Sequence, residues 1–102
     1  MSAETYRQRT LERVKALVLT AVAGHDVRVY LFGSSASGTA RRPSDVDVAV
    51  EPREPLPSGL LPELRLALEE STIPYIVDVV DLSGASLEFR ERVRQEGILW
   101  RD

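Results

Sequence analysis

Residues Asp45 to Val50 alternate strictly: Val46, Val48 and Val50 point one way, and Asp45, Asp47 and Ala49 point the other. Such a run forms a strand with core on one face only. The opposite face then carries two carboxylates two residues apart, about 6.5–7 Å along the strand. Converging to ~5 Å, two ionised carboxylates repel by roughly 3 kcal/mol at an effective dielectric of 20. A hard divalent cation relieves that repulsion, and Mg²⁺ typically takes one or two protein carboxylates plus substrate phosphates. Two metals about 3.5–4 Å apart can hold both the attacking and the leaving oxygen of an in-line displacement.

A phosphate-binding element stands just upstream. Leu31-Phe32-Gly33-Ser34-Ser35-Ala36-Ser37-Gly38 is a small-residue turn, and Gly33 to Ser44 holds two glycines, four serines and one proline. It reads as the exit of one strand leading through a turn into a short helix. Backbone N–H groups at such a turn, with the Ser34 hydroxyl, can bind phosphate oxygens. An ordinary P-loop is excluded, because Thr39 stands where its lysine belongs. An EF-hand is excluded by Ala49 and Val50, which occupy the places of a third ligand and a glycine. An aspartyl-phosphate phosphatase places its first Asp after a long apolar strand, whereas Arg41, Arg42, Pro43 and Ser44 precede Asp45 here.

The rest of the chain supplies a scaffold. Leu11, Val14, Val18, Ala21 and Val22 recur at helical spacing, so Glu4 to Ala23 is expected as an amphipathic helix stopped by Gly24. Val27 to Phe32 reads as a strand. Glu51 to Pro57 carries three prolines and is expected as a surface connection. Leu60, Leu61, Leu64, Ala67 and Leu68 mark a second helix with Ser58 as its cap. Tyr75 to Val80 is a further strand. Ser83 or Ser86 caps a last helix, with Leu87, Phe89 and Val93 inward and Gly97 ending it. Ile98-Leu99-Trp100 is expected as an apolar tail docked on the core. The order is α-β-α-β-α-β-α, an α/β (α+β) fold with a mixed three- to four-stranded sheet flanked by helices, in a single domain over 1–102.

Asp78 interrupts the apolar strand Ile76-Val77-Asp78-Val79-Val80. A charge at a strand centre is unusual unless it is paired or binds metal. Asp78 is therefore the expected third carboxylate, and Asp81, at the strand's end, is a turn or cap residue.

Composition narrows the chemistry further. There is no cysteine, which removes disulfides, thiolate nucleophiles and Cys-type zinc sites and fits a reducing cytoplasm. The one histidine, His25, lies between Gly24 and Asp26 in a turn, so neither a His-cluster metal site nor a Ser-His-Asp triad is expected. A net charge of −3 argues against a general nucleic-acid binder. No apolar run approaches the ~18 residues that span a bilayer, and no signal peptide is visible in the polar stretch Met1 to Arg9.

Phe32-Gly33-Ser34, Ala36, Gly38, Ala40-Arg41, Ser44-Asp45-Val46-Asp47 and Val77-Asp78-Val79-Val80-Asp81 together resemble the nucleotidyltransferase superfamily that includes DNA polymerase β. The similarity is greatest to its minimal nucleotidyltransferases (MNT), the antitoxins paired with HEPN-domain toxins, and it runs in order along nearly the whole chain. The resemblance implies that Gly33 and Ser34 hold a nucleoside triphosphate. It implies that Asp45 and Asp47 ligate two Mg²⁺, or Mn²⁺, and that Asp78 ligates the metal beside the attacking hydroxyl. Many relatives carry a basic residue where Ser37 stands, and Arg41 and Arg42 are the side chains able to replace it in nucleotide binding. The implied reaction moves AMP from ATP to a hydroxyl, typically a tyrosine, of the HEPN toxin.

Two other readings stay open on the residues. The chain could be a binding module that blocks its partner by contact alone, or a transferase acting on a small molecule or RNA. The short chain and its acidic charge disfavour the last. The Trp100 tail and the outer helix faces could serve a homodimer or a toxin interface.

Overall fold

The computed structural model describes residues 3–33 and 45–102; the side chains of residues 3, 4 and 45 lie outside the description. The expected short helix after Gly33 falls on residues outside it, as do Ser34, Arg41 and Arg42.

Helix α1 runs Ala3–Ala21. Its apolar stripe buries Val14 and Val18, and Val22 continues it into the following turn. Thr10 is also buried, and its hydroxyl donates to the Tyr6 carbonyl at 2.9 Å, so the polar group is satisfied within the helix. The chain then turns through Gly24 at φ +84°, a left-handed conformation that suits glycine.

Strand β1 spans Val27–Phe32, the expected bounds, and β2 spans Asp45–Pro52. They pair antiparallel, with Val29 opposite Val50, Leu31 opposite Val48 and Phe32 opposite Asp47. Helix α2, Leu60–Glu70, follows the proline-bearing connection and buries Leu61, Leu64 and Leu68. Strand β3, Ile76–Asp81, then lies parallel to β2, with α2 as the crossover that parallel pairing requires. A 3₁₀ turn at Leu82–Gly84 leads to α3, Leu87–Glu96, and to β4, Ile98–Arg101, antiparallel to β1. The sheet order is β3-β2-β1-β4. This is the expected mixed sheet flanked by helices, with four strands among the described residues.

The two faces of the sheet are covered unequally. Val27, Val29 and Leu31 of β1, Val46, Val48 and Val50 of β2, and Val79 of β3 meet α1 and α2 in the larger core. Fully burying a valine-sized side chain contributes about 1.5–3 kcal/mol, so this layer dominates the stability. The other face carries Tyr30 and Ala49 under Val93 of α3, with Phe32 edge-on to Phe89 at 5.8 Å between ring centroids.

Several local expectations change. Ile98-Leu99-Trp100 docks as expected through Trp100, which packs on the larger core, but it does so as a strand on β1's free rim, with Ile98 and Leu99 about half exposed. Gly97 makes this possible. A Cβ there would lie 2.6 Å from the Val93 carbonyl oxygen and 3.2 Å from that of Leu31. Only a bare backbone passes so close between α3 and β1. Glu51, expected in a surface connection, is buried at the end of β2, where Arg94 of α3 holds its carboxylate. The cap of α2 is Gly59 and not Ser58, with no side-chain cap bond. Ala67 and Leu87 face outward. Ser86 caps α3 as one of the two expected candidates, accepting from the Phe89 N–H at 3.1 Å.

Candidate active site

The alternation that drives Val46 and Val48 into the core turns Asp47 to the α3 face of the sheet. Asp78 of β3 is its register partner. Residues paired across neighbouring strands share a face, and the strands are about 4.8 Å apart. The two carboxylates are thus side by side at one end of the sheet. Asp47 is half-buried and Asp78 is exposed on the edge strand. Asp45 opens β2 with its backbone opposite Ile76.

Gly33 closes the site from the β1 side. It has φ +74°, a left-handed conformation, and a Cβ at this position would lie 2.7 Å from the Oδ2 of Asp47. The backbone leaving β1 at Gly33 therefore runs against the Asp47 carboxylate. The dihedral favours glycine, and any side chain here would also have to displace the Asp47 carboxylate.

Asp81 lies outside this group. Its Oδ1 accepts from the Ser83 N–H at 2.9 Å and the Ser83 hydroxyl at 2.7 Å, so it caps the 3₁₀ turn as expected. Among the described residues no group of three His, Cys, Asp or Glu side chains forms a metal cage. Asp47 and Asp78 are two hard oxygen donors on one face, which fits the protein's usual share of a Mg²⁺ site.

Sequence reasoning missed the neighbourhood contributed by α3. A hollow of about 200 Å³ beside Gly33 is lined by Phe32, Phe89, Val93, Arg92 and Glu96. Arg92 places a cation on its rim, 3.2 Å from Glu96. The signal was present in the spacing: Phe89, Val93 and Glu96 bracket Arg92 on one helix face.

Asp47 and Asp78 are thus paired across β2 and β3 of a mixed sheet, beside the left-handed Gly33 at the end of β1. The profile of the family described as "Polymerase beta, Nucleotidyltransferase" matches residues 24–100, and the chain belongs to that family. MntA of Haemophilus influenzae is 39% identical over 70 residues, 69% of this chain and 61% of that protein. The protein adenylyltransferase MntA of Shewanella oneidensis is 39% identical over 69 residues, 68% of this chain and 49% of its own length. This chain thus spans between half and three fifths of the curated relatives it matches. A solved complex of the tri-AMPylated Shewanella oneidensis HEPN toxin with its MNT antitoxin superposes with a TM-score of 0.66 at 26% identity. The match covers 92% of this chain and 71% of that one.

Proposed function

We propose that this chain is the antitoxin of a toxin–antitoxin pair and transfers AMP from ATP to a hydroxyl, a tyrosine, of a HEPN-domain toxin. The observation that carries the reading is the register of Asp47 with Asp78 directly beside Gly33. The similarity to two MntA sequences and to an MNT–HEPN complex supports the adenylyl group and the protein acceptor.

In this reading Gly33 and Ser34 hold the triphosphate, and Arg41 and Arg42 supply the positive charge for it. Asp45, Asp47 and Asp78 hold Mg²⁺, which when bound neutralises the phosphate charge that builds up during displacement. The acceptor oxygen attacks the α-phosphorus, forming one O–P bond. The bond from that phosphorus to the β-bridging oxygen breaks, and pyrophosphate leaves with the electron pair. The hydroxyl proton passes to solvent by way of the exposed Asp78 carboxylate. Asp47 is half-buried beside Gly33 and Asp78 is exposed, so in this reading Asp47 serves the phosphate side and Asp78 the open acceptor side.

The test is incubation with α-labelled ATP and Mg²⁺, with and without the product of the neighbouring gene. Label appearing on that partner, and only with the wild-type site, supports the reading. No label on any protein overturns it. Neutralisation of the partner by an Asp47→Asn chain would instead favour a module that blocks by contact.

A further inference from the structure

β3 is an edge strand, and its outer rim runs straight past Asp78. Arg65 of α2 reaches over that rim and donates to the Val79 carbonyl through Nε at 3.3 Å and Nη2 at 2.8 Å. The backbone groups of Val79 therefore face outward, and by the two-residue period so do those of Val77. Arg65 closes the rim at Val79 and leaves it open at Val77. Below the open part, on the α2 side, lies a hollow of about 420 Å³ with Leu68, Ile73 and Tyr75 in its wall and Arg65 and Glu69 of α2 beside them. Above it, on the Asp78 face, Ile76 is 69% exposed.

These features fit one kind of occupant. A hydroxyl must reach the Asp47–Asp78 pair, while α3 covers the sheet behind the pair and the Gly33 turn borders it on the β1 side. Asp78 is exposed at this edge, so among the described residues the rim of β3 offers an approach to the pair in the plane of the sheet. Open strand edges bind extended peptides through main-chain hydrogen bonds, with alternate side chains read on either face.

We propose that the rim of β3 seats the acceptor: an extended segment of the protein partner pairs with Val77 and sets its hydroxyl-bearing residue opposite Asp78. Cross-strand partners bring their Cβ atoms to about 4.5–5.5 Å, so this register delivers the hydroxyl to the site. The neighbouring partner residue enters the hollow between α2 and β3 and is apolar. The residue two positions from the hydroxyl covers Ile76 and is also apolar. The preferred acceptor is thus a tyrosine, serine or threonine in an extended stretch with apolar flanking residues, and a helical segment is rejected. This proposal rests on the adenylyl-transfer reading and adds how that reaction selects its acceptor.

The experiment uses wild type, Ile76→Lys and Ile76→Leu with the product of the neighbouring gene as acceptor and α-labelled ATP as donor. Ile76 is exposed, so its replacement leaves the fold intact. Ile76→Lys should raise KM for the partner at least about tenfold, as loss of an interface anchor does, while KM for ATP stays put and Ile76→Leu behaves as wild type. In the complex, hydrogen exchange at the Val77 amide should slow. If wild type labels the partner, the docking proposal falls on either an unchanged partner KM in Ile76→Lys or unprotected Val77. If wild type labels nothing, the transfer reading falls and takes this one with it.

Discussion

The Oδ2 of Asp47 lies 2.7 Å from where a Cβ on Gly33 would stand, so the backbone leaving β1 and the carboxylate on β2 are in contact. A methyl group there must push the carboxylate aside, and the φ of +74° is itself unfavourable for a side chain. Gly33→Ala is expected to lower kcat/KM for transfer by at least about a hundredfold, the loss that a 1 Å misplacement of reacting groups produces. Melting temperature should change far less. A titration of ATP turnover against a thermal melt of the same protein checks both.

Asp47 and Asp78 are neighbours in space but sit in unlike surroundings. Asp47 is half-buried between Gly33 and β3, and Asp78 is on an open edge. Asp47→Asn or Asp78→Asn should each lower transfer at least about a thousandfold, or ~4 kcal/mol in barrier. The two should differ in KM. Asp47→Asn disturbs the triphosphate side, whereas Asp78→Asn leaves nucleotide binding near wild type. Equilibrium binding of a non-hydrolysable ATP analogue, measured with Mg²⁺ for each variant, separates the two.

Much of this arrangement was legible in the chain. Val27 to Phe32 and Asp45 to Val50 declared themselves by β-branched runs and strict alternation, because one face of each is buried under two helices. The Asp45–Asp47 pair with a glycine-serine turn was enough to name candidates. The register of Asp47 with Asp78 was not legible. It depends on the length of the α2 crossover and on which strand β2 selects as its parallel neighbour, and neither is written into the residues of β2 or β3. Which segment supplies the fourth strand was not legible for a related reason. Ile98 to Arg101 shows no alternation of burial and owes its pairing to the bare backbone of Gly97. Glu51 misled because a charge before three prolines looks like a loop, while its partner, Arg94, lies far along the chain.

The contact at Gly97 predicts an effect on stability with no effect on chemistry of its own. A Cβ would be 2.6 Å from the Val93 carbonyl oxygen and 3.2 Å from that of Leu31. Both are backbone atoms in an α-helix and a strand, and neither can yield without moving its element. Gly97→Ala should destabilise by about 1–3 kcal/mol, the usual range for overpacking a filled site, and should loosen β4 first. Urea unfolding would show the lower midpoint, and amide exchange in residues 98–101 would show the early release. Unfolding identical to wild type would mean that the α3–β4 connection adapts freely.

A charge cluster at the other end of the sheet predicts how stability depends on pH. Asp102 accepts from Arg28 Nε at 2.8 Å and Arg53 Nη2 at 2.9 Å, and Arg53 also holds Asp26. The hydrogen bond from Arg28, then that from Arg53, hold the Asp102 carboxyl below the usual carboxylate range. Near pH 4 the unfolded chain consequently binds more protons at this residue than the folded one. Its stabilisation is fully present above the unfolded pKa of about 3.9 and is lost as the pH falls through the lower folded value. Asp102→Asn should therefore melt below wild type at neutral pH, and the gap should close under acid conditions. The groups are exposed, so added salt should narrow the neutral-pH gap as well. Melting curves from pH 7 down to pH 2, at low and high salt, decide it. A gap that persists unchanged at pH 2 would show that Asp102 acts by packing and not by charge.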